Sequence, residues 1–138
     1  MTALVRDRDR QFFAQAFETT CQPMPESAML FELSSDDSTR WRGVFERILD
    51  ISLSQDGWDG QGAEAPHPGT VKRAFEIAHR LKEAGMPPAD RVIATETGSV
   101  MCEWYCPTHY LEIEVIAPDS VEGREVDRST GSVEEFTL

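Results

Sequence analysis

The chain has 138 residues, of which 40% are hydrophobic and 28% are charged, and its formal net charge at pH 7 is −12. This length and composition predict one globular domain over residues 1–138 and exclude a disordered or fibrous protein. The excess of acid argues against direct binding to nucleic acid, because contact with a phosphate backbone requires basic residues. We therefore expect a protein partner, and a basic one.

Two features bear on the compartment. The longest apolar runs fall far short of the roughly 20 residues that span a bilayer, and residues 1–7 lack the apolar block of a signal peptide. The three cysteines, Cys21, Cys102 and Cys106, form no repeated framework, which is typical of free thiols in a reducing compartment. The sequence thus predicts a cytoplasmic protein, a monomer or small homo-oligomer, with no membrane association and no structural disulfide.

The N-terminal part, residues 1–55, is predicted to be helical. Apolar residues fall at helical spacing within Ala3–Thr20, and the prolines of Cys21–Glu26 end that helix. Met29–Leu33 is predicted to be a short strand or an extended linker, and Ser34–Ser38 to cap a second helix. The apolar stripe of this second helix comprises Trp41, Val44, Phe45, Ile48 and Leu49.

A loop rich in glycine and aspartate, residues 56–67, separates the second helix from a third. The third helix is predicted over residues 68–86, because Pro68 suits the first helical turn and Gly85 suits the end. Trp58 in the loop is large and apolar. We expect it to fill the core between the helices and the sheet as a structural residue.

From residue 91 to residue 138 the period of the apolar pattern changes from 3.6 to 2, which predicts a β-meander of four to five strands. Leu111, Ile113 and Val115 alternate with polar residues, and Trp104 is placed on the inward side of the preceding strand. The predicted fold class is α+β, with about three N-terminal helices packed on one face of a C-terminal antiparallel β-meander.

Several motifs resemble those of a family of small uncharacterised bacterial proteins. They are Gly57-Trp58-Asp59-Gly60, Gly62-Ala63 and Pro66, a following amphipathic helix, Thr97-Gly98-Ser99-Val100, Glu103-Trp104 and Leu111-Glu112-Ile113-Glu114-Val115. The resemblance covers about residues 53–116 and implies no activity. Ser99 stands where the family tends to carry a second glycine, a difference that bears on turn type.

The loop also offers a set of metal ligands. Asp56, Asp59 and Glu64 are hard oxygen donors among flexible glycines, which suits a divalent cation in a metal-dependent hydrolase. Their spacing does not match a calcium-binding helix-loop-helix loop, and local hydrogen bonds from the two aspartates to the backbone are the competing interpretation. A metal-dependent hydrolase that uses this loop stays an alternative hypothesis, and we expect no cofactor.

Catalytic chemistry has little support in the sequence. Cys102 and Cys106 lie four residues apart on a strand, roughly 13 Å, which is too far for both to bind one zinc ion with His109. The sequence contains no nucleophile elbow, phosphate loop or dinucleotide fingerprint. A non-enzymatic role is therefore favoured over an enzymatic one.

Acidic and tyrosine side chains are predicted to share one outward sheet face. Such a face suits a basic partner or mimics a phosphate array, although an acidic face also serves solubility alone. We predict a protein-interaction module that docks a basic partner through this face or through the N-terminal helical region, in a mobile-element or defence setting. An acidic nucleic-acid-mimicking inhibitor is a further alternative. The predicted partner-binding residues are Glu103, Tyr105, Tyr110, Glu112 and Glu114.

Overall fold

A computed structural model describes the chain from Met29 to Leu138, with side chains from Asp37 onward. This part has two helices and a five-stranded antiparallel sheet, so the α+β class with a β-meander is confirmed. The first predicted helix, Ala3–Thr20, lies outside the described residues. The elements are α1 (Met29–Ser52), α2 (Pro68–Glu83), β1 (Arg91–Ala94), β2 (Val100–Tyr105), β3 (His109–Ala117), β4 (Ser120–Asp127) and β5 (Val133–Thr137).

Helix α1 begins earlier than predicted. Met29–Leu33, expected to be extended, and Ser34–Ser38, expected to cap the helix, are both helical. The expectation is wrong because Met, Leu and Glu are good helix formers, and capping residues are only a weak prior once a helix continues on both sides. One stripe of α1 is buried and consists of Trp41, Val44, Ile48 and Ile51.

Helix α2 has defined ends. His67 is the N-cap, and its Nδ1 accepts a hydrogen bond of 3.3 Å from the backbone N–H of Gly69. At the other end Gly85 has a φ of +85°, and the backbone N–H of Met86 donates to the carbonyl of Leu81 at 3.0 Å. This is a Schellman motif, which ends the helix at Glu83. The apolar face of α2 is buried and comprises Val71, Ala74, Ile77, Ala78 and Leu81.

The strands lie in the order β1-β2-β3-β4-β5, and each is antiparallel to the next. We call the face that packs against α1 and α2 the inner face. Its buried residues are Val92, Val100, Cys102, Trp104, Leu111, Ile113, Val115 and Val121. Trp104, expected to be structural, is only 1% exposed and donates from Nε1 to the carbonyl of Pro87 at 2.8 Å.

Helix α1 also approaches the edge of the sheet at β1. Arg47 donates from Nε to the carbonyl of Val92 at 3.1 Å, and Arg40 pairs with Asp90 at 2.8 Å. Both described helices lie on the inner side, so no helix of this part of the chain covers the opposite face, which we call the open face. Between Met29 and Leu138 no helix is long and apolar enough to cross a membrane.

Candidate functional site

The strand register arranges the side chains of the open face in three cross-strand rows. The first row contains Ile93, Met101, Glu114, Glu122 and Thr137. The second contains Arg91, Glu103, Glu112, Arg124 and Glu135. The third contains Tyr105, Tyr110, Val126 and Val133. All five predicted partner-binding residues therefore lie on this face.

The expectation of an exposed acidic row is wrong for Glu103. Its side chain is buried, and the residue is 7% exposed. Its carboxylate accepts hydrogen bonds from the hydroxyls of Tyr105 at 2.6 Å and Tyr110 at 3.0 Å, and it lies 3.6 Å from the guanidinium of Arg91. The centroids of the two tyrosine rings lie 5.4 Å apart. Alternation along a strand predicts the face on which a side chain lies, whereas its burial depends on neighbouring strands.

Tyr110 links two carboxylates that face each other across β2 and β3. Its hydroxyl lies 2.6 Å from Glu112 Oε2 as well as 3.0 Å from Glu103 Oε1, and Arg124 lies 3.8 Å from the other oxygen of Glu112. Burial raises the pKa of Tyr110 well above its usual range, and the hydrogen bonds to the two carboxylates raise it further. The pKa of Tyr105 is also raised, first by its hydrogen bond to Glu103. Both hydroxyls thus stay protonated as donors.

Glu114 is held by Ser99, a residue expected to influence only the type of a turn. The hydroxyl of Ser99 donates to Glu114 Oε1 at 2.5 Å, and Ser99 is 1% exposed. Thr95 Oγ1 lies 2.5 Å from the same hydroxyl. A glycine at this position would leave Glu114 without that donor, so the difference from the family pattern changes the open face itself.

Two further glutamates, Glu122 and Glu135, belong to the open face and were missed from the sequence. Both are exposed. Within residues 37–138 no arginine or lysine lies within ion-pair distance of Glu114, Glu122 or Glu135. Together with Glu112 and Arg124 they line a shallow concavity of about 450 Å³. The three rows contain more acids than bases: the bases are Arg91 and Arg124, and the acids are Glu103, Glu112, Glu114, Glu122 and Glu135.

The glycine- and aspartate-rich loop is fixed by its own hydrogen bonds. Asp59 Oδ1 accepts from the N–H groups of Gln61 at 2.8 Å and Ala63 at 3.0 Å, and Asp56 Oδ1 accepts from Ala65 at 2.9 Å. These backbone donors, Gln61 first, lower the pKa of Asp59. The two aspartates are therefore turn-forming residues in this structure.

Trp58 does not fill the core, so that expectation is corrected. The residue is 43% exposed, and its Nε1 donates to the carbonyl of Glu64 at 3.2 Å. Trp58 thus closes the loop through its indole N–H and lies outside the core.

The described residues include no group of three or more His, Cys, Asp or Glu side chains placed to hold a metal ion. The proposed ligands Asp56, Asp59 and Glu64 are not brought together as such a group, and neither are the two cysteines and His109. Cation chemistry at the loop therefore has no geometric support in this part of the chain.

The cysteines differ from one another. Cys102 is a free, buried thiol, and burial, with a smaller contribution from Glu103, raises its pKa to about 12. Cys106 is disulfide-bonded, which corrects the expectation of free thiols throughout; Cys21 lies outside the described residues.

Comparison of the chain with protein-family models, with curated proteins and with solved structures gives no match. The similarity to the bacterial family with the Gly57-Trp58-Asp59-Gly60 loop stays a resemblance between motifs.

Proposed function

We propose that this chain is a non-enzymatic interaction module that binds a basic segment of a partner protein on the open face of its sheet. The observation that carries the proposal is a surplus of carboxylates on a sheet face that no described helix covers. Some of these carboxylates are held by hydroxyl donors, whereas Glu122 and Glu135 are exposed. An acidic face with oriented carboxylates attracts and aligns a cationic partner.

The hydrogen bonds on the open face lower the cost of binding. Tyr110 and Ser99 restrict the carboxylates of Glu112 and Glu114 before any partner arrives. A side chain that is already ordered loses less conformational entropy on association. The open face is therefore preorganised for cationic groups.

Like charges on this face favour a cationic partner as well. Glu114 stands directly opposite Glu122, and no arginine or lysine of residues 37–138 lies within ion-pair distance of either carboxylate. Such pairs destabilise a sheet. A lysine or arginine of the partner, bound between two such carboxylates, relieves their repulsion. Binding therefore gains favourable electrostatic free energy.

Tyr105 provides an aromatic anchor beside the acids. It is 45% exposed, and Val133, in the same row, is 50% exposed. Tyrosine is enriched at the energetic centres of protein interfaces, and its ring also accepts a cation on its face. We therefore place the centre of the interface near the third row and its charged rim near Glu122 and Glu135.

The biological setting is a further part of the proposal. The resemblance suggests a bacterial host, and we propose a cytoplasmic location in a mobile-element or defence context. Trapping the redox state of Cys106 in host cells tests the compartment. A reduced thiol agrees with a cytoplasmic location, and a persistent disulfide contradicts it.

The partner is to be identified by photo-crosslinking from position 105. A photoreactive amino acid replaces Tyr105 in the full chain, and the same residue placed at Gln61, which is exposed in the loop before α2, is the control. We expect a crosslink from position 105 only, to a partner peptide rich in lysine and arginine. Crosslinks equally frequent from position 61, or crosslinks from position 105 to acidic peptides, would contradict the proposal.

Charge reversal then measures the contribution of the open face. We expect the double variant Glu122→Lys, Glu135→Lys to bind that partner about tenfold more weakly or worse, with a reduced dependence on salt. Glu112 and Glu114 are unsuitable targets, because reversing them also breaks hydrogen bonds. The matched control is Glu134→Lys, next to Glu135 on the other side of β5. Unchanged affinity in the double variant would rule the open face out.

A nucleic-acid-binding protein is one partner class with the required charge. If the chain acts as a nucleic-acid mimic, the captured partner releases its DNA or RNA when the wild-type chain is added. The double variant is expected to release much less. A partner that binds chain and nucleic acid simultaneously excludes mimicry while leaving the interaction module intact.

A further inference from the structure

Helix α1 carries a second apolar stripe that does not face the sheet. Phe45, Leu49 and Leu53 follow one another at four-residue spacing, the last just beyond the end of the helix. Leu49 is 55% exposed and Leu53 is 75% exposed. A single exposed leucine needs no explanation, but a row of apolar residues beside a groove is typical of an interaction site.

Helix α2 forms the other wall of that groove. Its residues Phe75, His79 and Lys82 lie on one helix face and converge on Phe45. The ring of Phe45 lies 6.4 Å from that of Phe75 and 4.5 Å from that of His79, and Lys82 Nζ lies 5.9 Å from its centroid. These side chains, with Arg42 and Leu49, line a concavity of about 590 Å³.

The groove has the length that a helix requires. The residues of α1 that line the groove run from Ser38 to Leu49, which is about 16 Å at the α-helical rise per residue, or about three turns. Peptides that bind as amphipathic helices place apolar anchors on one face over such a distance in an apolar groove. An extended strand has no exposed backbone edge to pair with here, because both walls are helices.

The charge of the groove is opposite to that of the chain. The rim of the groove carries two cations, Arg42 and Lys82, and one acid, Glu46, whereas the formal net charge of the whole chain is −12. Within residues 37–138 neither cation lies within ion-pair distance of an acid. Local charges at a rim select partners of complementary sign.

We propose that the groove between α1 and α2 binds an amphipathic helix with acidic flanks, supplied by a partner protein. The groove and the open face are different surfaces of opposite charge, so this inference stands apart from the proposed function. If both hold, the chain joins a basic segment and an acidic helix.

The test uses two fluorescent, helix-stapled peptides of about 16 residues. Both carry leucines at helical spacing on one face, with glutamates flanking the stripe in the first peptide and lysines in the second. We expect the full chain to bind the glutamate peptide about tenfold more tightly in fluorescence anisotropy. General attraction to a chain of charge −12 would give the opposite order.

Three variants locate the binding. Leu49→Ser is expected to weaken binding of the glutamate peptide about tenfold or more, and Arg42→Glu about fivefold. Ile116→Ser removes a residue that is 41% exposed on β3, and it is the matched control that keeps full affinity. Thermal melting of each variant confirms folding, and Arg42→Glu carries the test if Leu49→Ser is unstable.

Several results would overturn the inference. They are preference for the lysine peptide, equal binding of both peptides, no binding of either, and an affinity unchanged by Leu49→Ser and Arg42→Glu. A wild-type dimer in sedimentation that Leu49→Ser dissociates would make a second copy of the chain the occupant and refute a helical partner.

Discussion

The two faces of the sheet are built from different interactions. On the inner face Trp104, Leu111 and Ile113 are each about 1% exposed, and apolar burial between sheet and helices stabilises the fold. On the open face Glu103 is nearly as buried but depends on directed hydrogen bonds from two tyrosines. The inner face thus supplies the apolar burial of the sheet, whereas the open face holds its charged groups through hydrogen bonds.

Two tryptophans give the largest expected contrast. Trp104→Ala should lower the free energy of unfolding by about 3–5 kcal/mol, because it leaves a cavity on the inner face. Trp58→Ala should cost clearly less, because Trp58 is 43% exposed and lies outside the core, and the substitution removes its hydrogen bond to Glu64. Urea unfolding measures both values. Similar costs for the two variants would contradict the placement of Trp58 outside the core.

Tyr110→Phe tests whether the open-face hydrogen bonds contribute to stability. We expect a loss of about 1–2 kcal/mol at pH 7, because Glu103 and Glu112 lose a shared donor while Glu103 stays buried. Tyr105→Phe, whose ring is more exposed, should cost less. A Tyr110→Phe variant as stable as the wild type would show that the hydrogen bonds form without stabilising the fold.

The same tyrosine predicts an alkaline limit to stability. Because the pKa of Tyr110 is raised in the folded chain, its contribution is complete below the unfolded pKa of about 10 and is lost as pH rises toward the folded pKa. Unfolding free energies measured from pH 8 upward should therefore fall above about pH 10. The fall should be shallower in Tyr110→Phe. Equal slopes in the two proteins would contradict the raised pKa.

Glu122→Lys should change stability little and in the favourable direction. It converts the like-charge pair with Glu114 into an opposite-charge pair, a gain of about 0.5 kcal/mol at low salt that should disappear at high salt. Urea unfolding at two salt concentrations measures it. A clear destabilisation would show that Glu122 supports the fold, and its use as a probe of binding would then be invalid.

Chemical labelling of the Cys102 thiol reports on opening of the inner face, and it is the smallest of the expected effects. With its pKa raised to about 12 and its side chain buried, the thiol should stay unreactive toward a disulfide reagent at pH 8 while the chain is folded. The labelling rate should follow the rate of unfolding when denaturant is added. Fast labelling of the native chain would mean that the inner face opens near β2.

Much of the fold was predictable because local patterns decide it. The alternation Leu111, Ile113, Val115 places the inner face, and Pro68 and Gly85 mark the ends of α2, as the structure confirms. The start of α1 was not predictable in this way, because short polar residues are compatible with both a cap and a helix interior.

The open face was predictable only in part. On β4 and β5 the acid Glu125 points to the inner side and Val126 and Val133 to the open side, so alternation of polarity gives no guide there. The contribution of Ser99 depends on the packing of a turn against β3, which no spacing along the chain encodes. The exposure of Trp58 likewise depends on which residues pack around the loop, and the spacing along the chain does not encode that packing.

The most direct test of the open face is an NMR titration of the isotopically labelled full chain with a lysine- and arginine-rich peptide. We predict that the largest amide shifts cluster on β2 to β5, around Tyr105, Glu122 and Glu135, and vanish in the Glu122→Lys, Glu135→Lys variant. Shifts spread evenly over the acidic surface, including Asp50 and Glu83, or shifts that persist in that variant would contradict the account.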